Sequence, residues 1–263
     1  MSGLKLDRRR FLGLTGAGAS SLALAGCDVF DPLLRPGAEV RSVLEKANDL
    51  TYRVQRALIG DETLAREFSE SEIRQGQRPN GSTDPTSMEY MFLSRSDFVL
   101  YKLRVTGLVE QPLELSLEEL RNMPARTQIT RHDCVEGWSC IAKWTGVPLA
   151  FLLDQARVRP EARYAVFRCY DEMPGGLAGP QPYYGSIDLI DARHPQTILA
   201  YGLNDQTLPI ANGAPLRLRV ERQLGYKMNK YVHTIELVES FADIGRGKGG
   251  YWEDHGYDWY AGI

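Results

Sequence analysis

The stretch Thr130-Arg131-His132-Asp133-Cys134-Val135-Glu136-Gly137-Trp138-Ser139-Cys140-Ile141-Ala142-Lys143-Trp144-Thr145-Gly146-Val147-Pro148-Leu149 decides how the rest of the chain is read. Before Cys134 the residues alternate, Ile129 and Arg131 on one face and Thr130 and His132 on the other, which predicts a strand. Gly137, and later Thr145-Gly146-Val147-Pro148, predict sharp turns, leaving Cys134 at a strand end. A cysteine binds metal or attacks as the thiolate, and Arg131, Lys143 or a metal ion would favour that form. An inert buried thiol is the competing reading.

The other cysteines narrow the choice. Cys27 lies in the leader, so Cys134, Cys140 and Cys169 remain, an odd number that cannot all be paired. A zinc site of His132, Cys134, Cys140 and Cys169 would lack the Cys-x-x-Cys pairing of structural zinc sites.

Arg131-x-x-Cys134-Val-Glu-x-Trp138-Ser followed by Trp144-Thr-Gly-x-Pro148-Leu149 resembles the cysteine loop of the sulfite-oxidase-fold molybdopterin oxidoreductases. Within that family it is most similar to the periplasmic methionine-sulfoxide reductase catalytic subunits. The resemblance runs from about Thr86 to Glu239 and is repeated by Asn212-Gly213-x-Pro215-x-Arg217 and by Gly225-Tyr226-Lys227-Met228-Asn229-Lys230. It implies an α+β fold of mixed sheets with flanking helices, without the immunoglobulin-like C-terminal dimerisation domain of classical sulfite oxidases. It also implies a molybdenum-molybdopterin cofactor, with Cys134 as metal ligand and catalytic residue. Cys169, Asn212, Arg217, Lys227, Met228, Asn229 and Lys230 would bind the pterin.

The chemistry of these residues suits such roles. Arg217 offers a planar fork to a phosphate and Asn212 an amide that both donates and accepts. Lys227 and Lys230 beside Gly225 would form an anion cradle. Taken alone, Arg217 and both lysines read as solvated surface charges. Cys169 stands where the family has a threonine, and a plain core cysteine is the alternative. The family's asparagine and Tyr-Glu pair are not matched by Met88-Glu89-Tyr90-Met91-Phe92, so no role is carried there.

The implied reaction is oxygen-atom transfer. An acidic and aromatic wall, Val135-Glu136-Gly137-Trp138, would repel sulfite and tolerate a neutral sulfoxide. Reduction of a sulfoxide or similar oxide is therefore the leading expectation. The alternatives are sulfite oxidation with a cytochrome acceptor and a metal-free binding protein of the same fold. No haem-attachment or iron-sulfur motif is present, so electrons would come from a separate partner, a membrane haem protein.

Composition agrees with one substantial domain: 263 residues, 43% hydrophobic and 25% charged. A net charge of -3 gives no case for a nucleic-acid partner. Residues 1–27 read as a twin-arginine signal, Arg8-Arg9-x-Phe11-Leu12 followed by an apolar run, with a lipobox ending at Cys27. That predicts a periplasmic protein tethered to the membrane through lipid on Cys27; ordinary cleavage leaving a soluble protein is the alternative. Residues 28–85 read as a tether and two helices, from Ala38 to Ile59 and from Asp61 to Ile73, ending in the linker Arg74 to Pro85. Residues 86–244 form the oxidoreductase domain and 245–263 an aromatic tail that covers the core. Strands are predicted over Phe98 to Val105, Tyr164 to Tyr170, from Leu216, and over Tyr231 to Glu239. A capped helix is predicted at Ser116, another over Phe151 to Ala156, and a pocket-edge loop over Gly175 to Gly185 with Tyr183 and Tyr184.

Overall fold

The structure, a computed structural model, describes residues 39–174 and 179–263. The twin-arginine signal, the lipobox with Cys27 and part of the Gly175–Gly185 loop fall outside the described residues. The chain divides into two units, Met1–Val54 and Gln55–Ile263. Helix α1 (Glu39–Ile59) spans the boundary, and its last turn, within the second unit, ties Arg56 to Asp188 and Asp191 at 2.8 Å each.

Next comes a correction. Asp61 to Ile73 is not a helix; it holds a single 3-10 turn, Glu70–Glu72. The segment runs along other chain instead, with Phe68 N donating to Ile129 O and Arg74 N to Ile141 O. Gln196 grips Ala65 from both sides. These tertiary hydrogen bonds outweigh a short apolar periodicity.

After α2 (Met88–Arg95), Phe98 to Tyr101 is a turn, with Asp97 and Phe98 at positive φ. The predicted strand therefore starts later, as β1 (Lys102–Gly107). β2 (Leu113–Ser116) leads into α3 (Leu117–Arg121), capped as predicted: Ser116 Oγ accepts from Glu119 N while the Glu119 carboxylate accepts from Ser116 N. Then follow β3 (Arg126–Cys134), β4 (Trp138–Pro148), α4 (Leu149–Ala156), β5 (Tyr164–Met173), β6 (Gln181–Asp188) and α5 (Leu189–Ala192). The chain ends with β7 (Ile198–Leu203), β8 (Gln206–Thr207), β9 (Arg217–Arg219), β10 (Val232–Val238) and the short helix α6 (Tyr251–Asp254).

Two five-stranded sheets result. One has the order β2-β1-β10-β5-β6, with β10 parallel to β1 and antiparallel to β5. The other has the order β3-β4-β7-β8, with β9 also pairing to β7. Apolar residues of both sheets, among them Leu103, Val105, Trp144, Phe167, Leu216, Leu218 and Ile235, form one buried cluster. This is the α+β mixed-sheet fold expected, and no immunoglobulin-like sandwich occurs among the described residues.

Thr145-Gly146-Val147-Pro148 is a second correction, since β4 runs through it without turning. A register shift sits at Thr145/Gly146, and a Cβ at Gly146 would lie 2.1 Å from Leu199 O, so only glycine lets β7 approach. The turn at Gly137 is as predicted, with φ +82° and its N–H donating to Cys134 O at 3.0 Å.

Candidate active site

β3 and β4 form a hairpin in which Cys134 faces Trp138, so Cys134 is the last residue of its strand. Its alternation is as read, but the buried face is polar: Gln128, Thr130 and His132 point inward while Arg131 is exposed. The reason lies on the far side. Arg219 and Glu221, both fully buried, form a bidentate pair at 2.9 and 2.7 Å, and Gln128 Nε2 donates to Glu221 at 2.9 Å. Arg219 Nη1 lies 3.0 Å from His132 Nδ1, which must accept because a guanidinium only donates. The imidazole also touches Met228 Sδ at 3.3 Å, and a Cβ on Gly225 would strike it at 2.3 Å. Burial, with Arg217, Arg219 and Lys230 nearby, holds His132 well below its usual range and so neutral.

Cys134 opens onto a cleft enclosing about 700 Å³, part of it open to solvent. Met228, Asn229 and Lys230 line it together with Cys134. Arg217 stands fully buried behind them and acts on Cys134 electrostatically. Both arginines of β9 are buried, so the solvated-strand reading of Arg217 is excluded. Its guanidinium donates to Asn212 O at 3.1 Å and Asn80 Oδ1 at 2.9 Å, and lies over Trp144. Neither Arg131 nor Lys143 serves the thiol. Arg131 pairs with Asp133 at 2.9 Å, and Lys143 with Glu70 and Asp205. Burial pushes the Cys134 thiol up and the Glu136 carboxylate adds to the rise; the Glu136 backbone hydrogen bond, Arg217 and Arg78 oppose it.

Lys227 departs most from expectation. Its side chain is buried and its Nζ donates to Glu253 of α6, beside the ring of Trp259. It faces a carboxylate rather than the cleft. Cys169 is buried on β5, 3.7 Å from the Asn229 amide. That amide is satisfied with Nδ2 donating to Lys227 O and Oδ1 accepting from Gly185 N. Asn212 is buried and reaches Gln77 O at 3.5 Å, at the limit of a hydrogen bond.

Several cleft residues were not singled out in the sequence. Asn80, Gly81 and Ser82, read as linker, line the cleft. The Ser82 carbonyl accepts from Lys230 Nζ and from Tyr231 OH, and Ser82 Oγ donates to Asp171 Oδ2 at 2.7 Å. Only the turn signal Pro79-Asn80-Gly81 marked this segment, and turn composition says nothing of what a loop covers. Asp171 Oδ1 has no partner, and burial pushes this carboxyl up to about 6. Tyr183, Met173, Trp252 and Tyr257 complete the apolar wall, whereas Tyr184 turns away to Asp254. The aromatic tail thus covers the core, as read, and also walls the cleft.

Two cations here have no carboxylate partner among the described residues. Arg217 and Lys230 bond only to amide and carbonyl oxygens, and Arg217 Nε bonds to nothing. Burial and repulsion from Arg219 push Arg217 down to about 9, and burial and repulsion from Arg217 push Lys230 down to about 7 against the pull of Asp171. Buried charge of one sign costs free energy until an anion compensates it. A phosphate-bearing cofactor with a soft metal at its other end fits this donor set, cations on one side and a thiol on the other. The zinc alternative does not fit: no group of three metal-binding side chains occurs among the described residues.

Residues 93–243 match the family described as the oxidoreductase molybdopterin binding domain. The chain belongs to this family. A protein of Azospira oryzae named "Putative protein-methionine-sulfoxide reductase subunit YedZ1" is 35% identical over 97% of this chain and 87% of its own length. The methionine-sulfoxide reductase catalytic subunit MsrP of Xanthomonas campestris is 34% identical over 90% of this chain and 71% of its own. That of Gluconobacter oxydans is 39% identical, over 60% of this chain and 52% of its own. Among solved structures, the sulfane dehydrogenase SoxCD of Paracoccus pantotrophus aligns over 53% of this chain and 38% of its own, with 23% identity and a TM-score of 0.46. As a molybdopterin-binding oxidoreductase the chain is a molybdenum-dependent enzyme, and molybdenum-molybdopterin is its cofactor.

Proposed function

We propose that this enzyme reduces a sulfoxide, with protein-bound or free methionine sulfoxide as the substrate class. The observation that carries the reading is the cleft itself, where Cys134 shares the lining with Val135, Glu136, Asp171, Met173 and Tyr183, and Lys230, bonded to the carbonyls of Ser82 and Ala211, is the one basic lining residue among those described. Arg78, beside the cysteine loop, lies over Trp138 at 5.0 Å and 3.9 Å from Glu136. Such a mouth admits a neutral dipole more readily than an anion such as sulfite. The names of the relatives agree.

In this reading Cys134 holds the metal, and Lys230 with Arg217 holds the pterin phosphate. When bound, the cofactor accepts the oxygen atom and carries the two-electron change. The balance is R2SO + 2 H⁺ + 2 e⁻ giving R2S + H2O. The chain's own contribution is positional and protonic. His132 links the Cys134 strand to Met228, Ser82 and Asn80 line the cleft, and the Asp171 carboxyl, raised to about 6, can take up and release a proton just below neutral pH. Lys227 is assigned to α6 rather than to phosphate.

The electrons come from a separate partner, for which a membrane haem protein is the best candidate. Residues 1–27 support export to the periplasm with a lipid tether at Cys27. No helix among the described residues is long and apolar enough to cross a membrane. Steady-state assays on one molybdenum-quantified preparation test the reading. Methionine sulfoxide should turn over with a reduced viologen, sulfite should not be oxidised, and Cys134→Ser should abolish turnover. Sulfite oxidation without sulfoxide reduction would overturn it.

A further inference from the structure

The cleft has one wall that no other part of the site accounts for, and it comes from the C-terminal segment. Trp252 on α6 and Tyr257 just after it line the cleft with ring centroids 5.3 Å apart and planes 43° apart. Tyr226 meets Tyr257 edge-on at 5.2 Å, which braces the pair from the side of the Gly225–Lys230 turn. Tyr257 is 41% exposed, so the wall reaches the mouth. An aromatic surface left partly open to water in a cleft is a binding surface for apolar groups.

The wall is held in place on both flanks. Glu253, next to Trp252, forms the buried ion pair with Lys227. Asp254 accepts from Tyr184 OH at 2.6 Å, Arg246 N at 2.9 Å and Lys248 N at 3.1 Å. Tyr226 OH donates to Asp258 O at 2.6 Å. A side chain whose neighbours are pinned this way offers a fixed shape rather than a mobile cover.

We propose that Trp252 and Tyr257 are the specificity-determining residues of this enzyme, packing the alkyl or aryl arms of a neutral sulfoxide. Across the cleft, Glu136 accepts from Trp138 Nε1 at 2.9 Å and disfavours substrates whose arms carry negative charge. The inference rests on the sulfoxide-reductase reading. Lys227 thereby acquires a role: it fixes the substrate wall through Glu253.

The test compares methyl p-tolyl sulfoxide with dimethyl sulfoxide on the molybdenum-loaded enzyme. Removing the indole in Trp252→Ala should raise KM for the aryl substrate roughly tenfold, with kcat within about twofold and dimethyl sulfoxide little affected. Tyr257→Phe, which keeps the ring, should preserve the ratio of the two kcat/KM values. Molybdenum content by mass spectrometry and the electron paramagnetic resonance spectrum of the half-reduced metal should be unchanged in both variants. An unaltered substrate ratio in Trp252→Ala, or loss of molybdenum from it, would overturn the inference while leaving the sulfoxide reading intact. A wild-type enzyme that reduces neither sulfoxide would instead defeat that reading.

Discussion

Replacing Glu253 by leucine should destabilise the protein far more than the loss of one ion pair at the surface. The Lys227 and Glu253 side chains are only 1% and 4% exposed, so the substitution strands an ammonium in a dry environment beside the Tyr226 and Trp259 rings. Removing one partner of a buried pair costs about 3–5 kcal/mol. At roughly 2–4 °C per kcal/mol for a chain of this size, Tm should fall by about 6–20 °C. The exposed pair Lys102 and Glu119, 3.8 Å apart with side chains about half exposed, provides the contrast. Its loss should leave Tm nearly unchanged, because water screens an exposed pair. Calorimetry on Glu253→Leu, on Glu119→Gln and on the double variant Lys227→Met/Glu253→Leu decides the matter. The double variant should recover most of the loss, because two apolar groups need no charge partner. If Glu253→Leu melts within about 2 °C of the wild type, or the double variant melts below it, the pair does not hold α6 as described.

The unpaired cations predict a pH dependence for protein prepared without cofactor. Lys230 loses its proton near pH 7 when folded but near 10.5 when unfolded, so between those values the unfolded state binds more protons and stability should rise with pH. Urea midpoints at pH 7 and 9.5 should show that rise, and Lys230→Met should flatten it. For Asp171 the folded value, about 6, lies above the model-compound 3.8, so its contribution should weaken as pH rises from about 4 to 6. Asp171→Asn should remove that slope in the same titration. Arg217→Met should leave purified enzyme depleted of pterin, scored by fluorescence of the oxidised, released pterin; full pterin occupancy would refute its place at the phosphate. Gly225→Ala should displace His132, since a Cβ there would lie 2.3 Å from the imidazole, and should lower both Tm and turnover.

The cysteine loop was legible because its alternation and its Gly137 turn are local properties. So was the Ser116 cap. At Lys227 the motif places a lysine but does not reveal the carboxylate, 26 residues later, that it meets. The Asp61 to Ile73 helix failed for a related reason, since its backbone finds partners at Ile129 and Ile141 that no window of sequence contains. Asn80 and Ser82 carried only turn chemistry, although their oxygens meet the two cations of the cleft. What sequence conveys is which groups are present; which of them neutralise one another is decided by the sheets that bring distant segments together.

The position of β10 has a consequence for biosynthesis. This strand is made after both of its neighbours, β1 and β5, so the first sheet cannot close until residues 232–238 have emerged from the ribosome. Pairing of β10 with β1 also joins segments more than a hundred residues apart, a contact that forms slowly. Until those residues emerge the cleft beside this sheet stays unbuilt, and cofactor insertion must follow their synthesis. Any accessory factor guarding this protein would meet a chain with two exposed strand edges, β1 and β5, waiting for the same late partner.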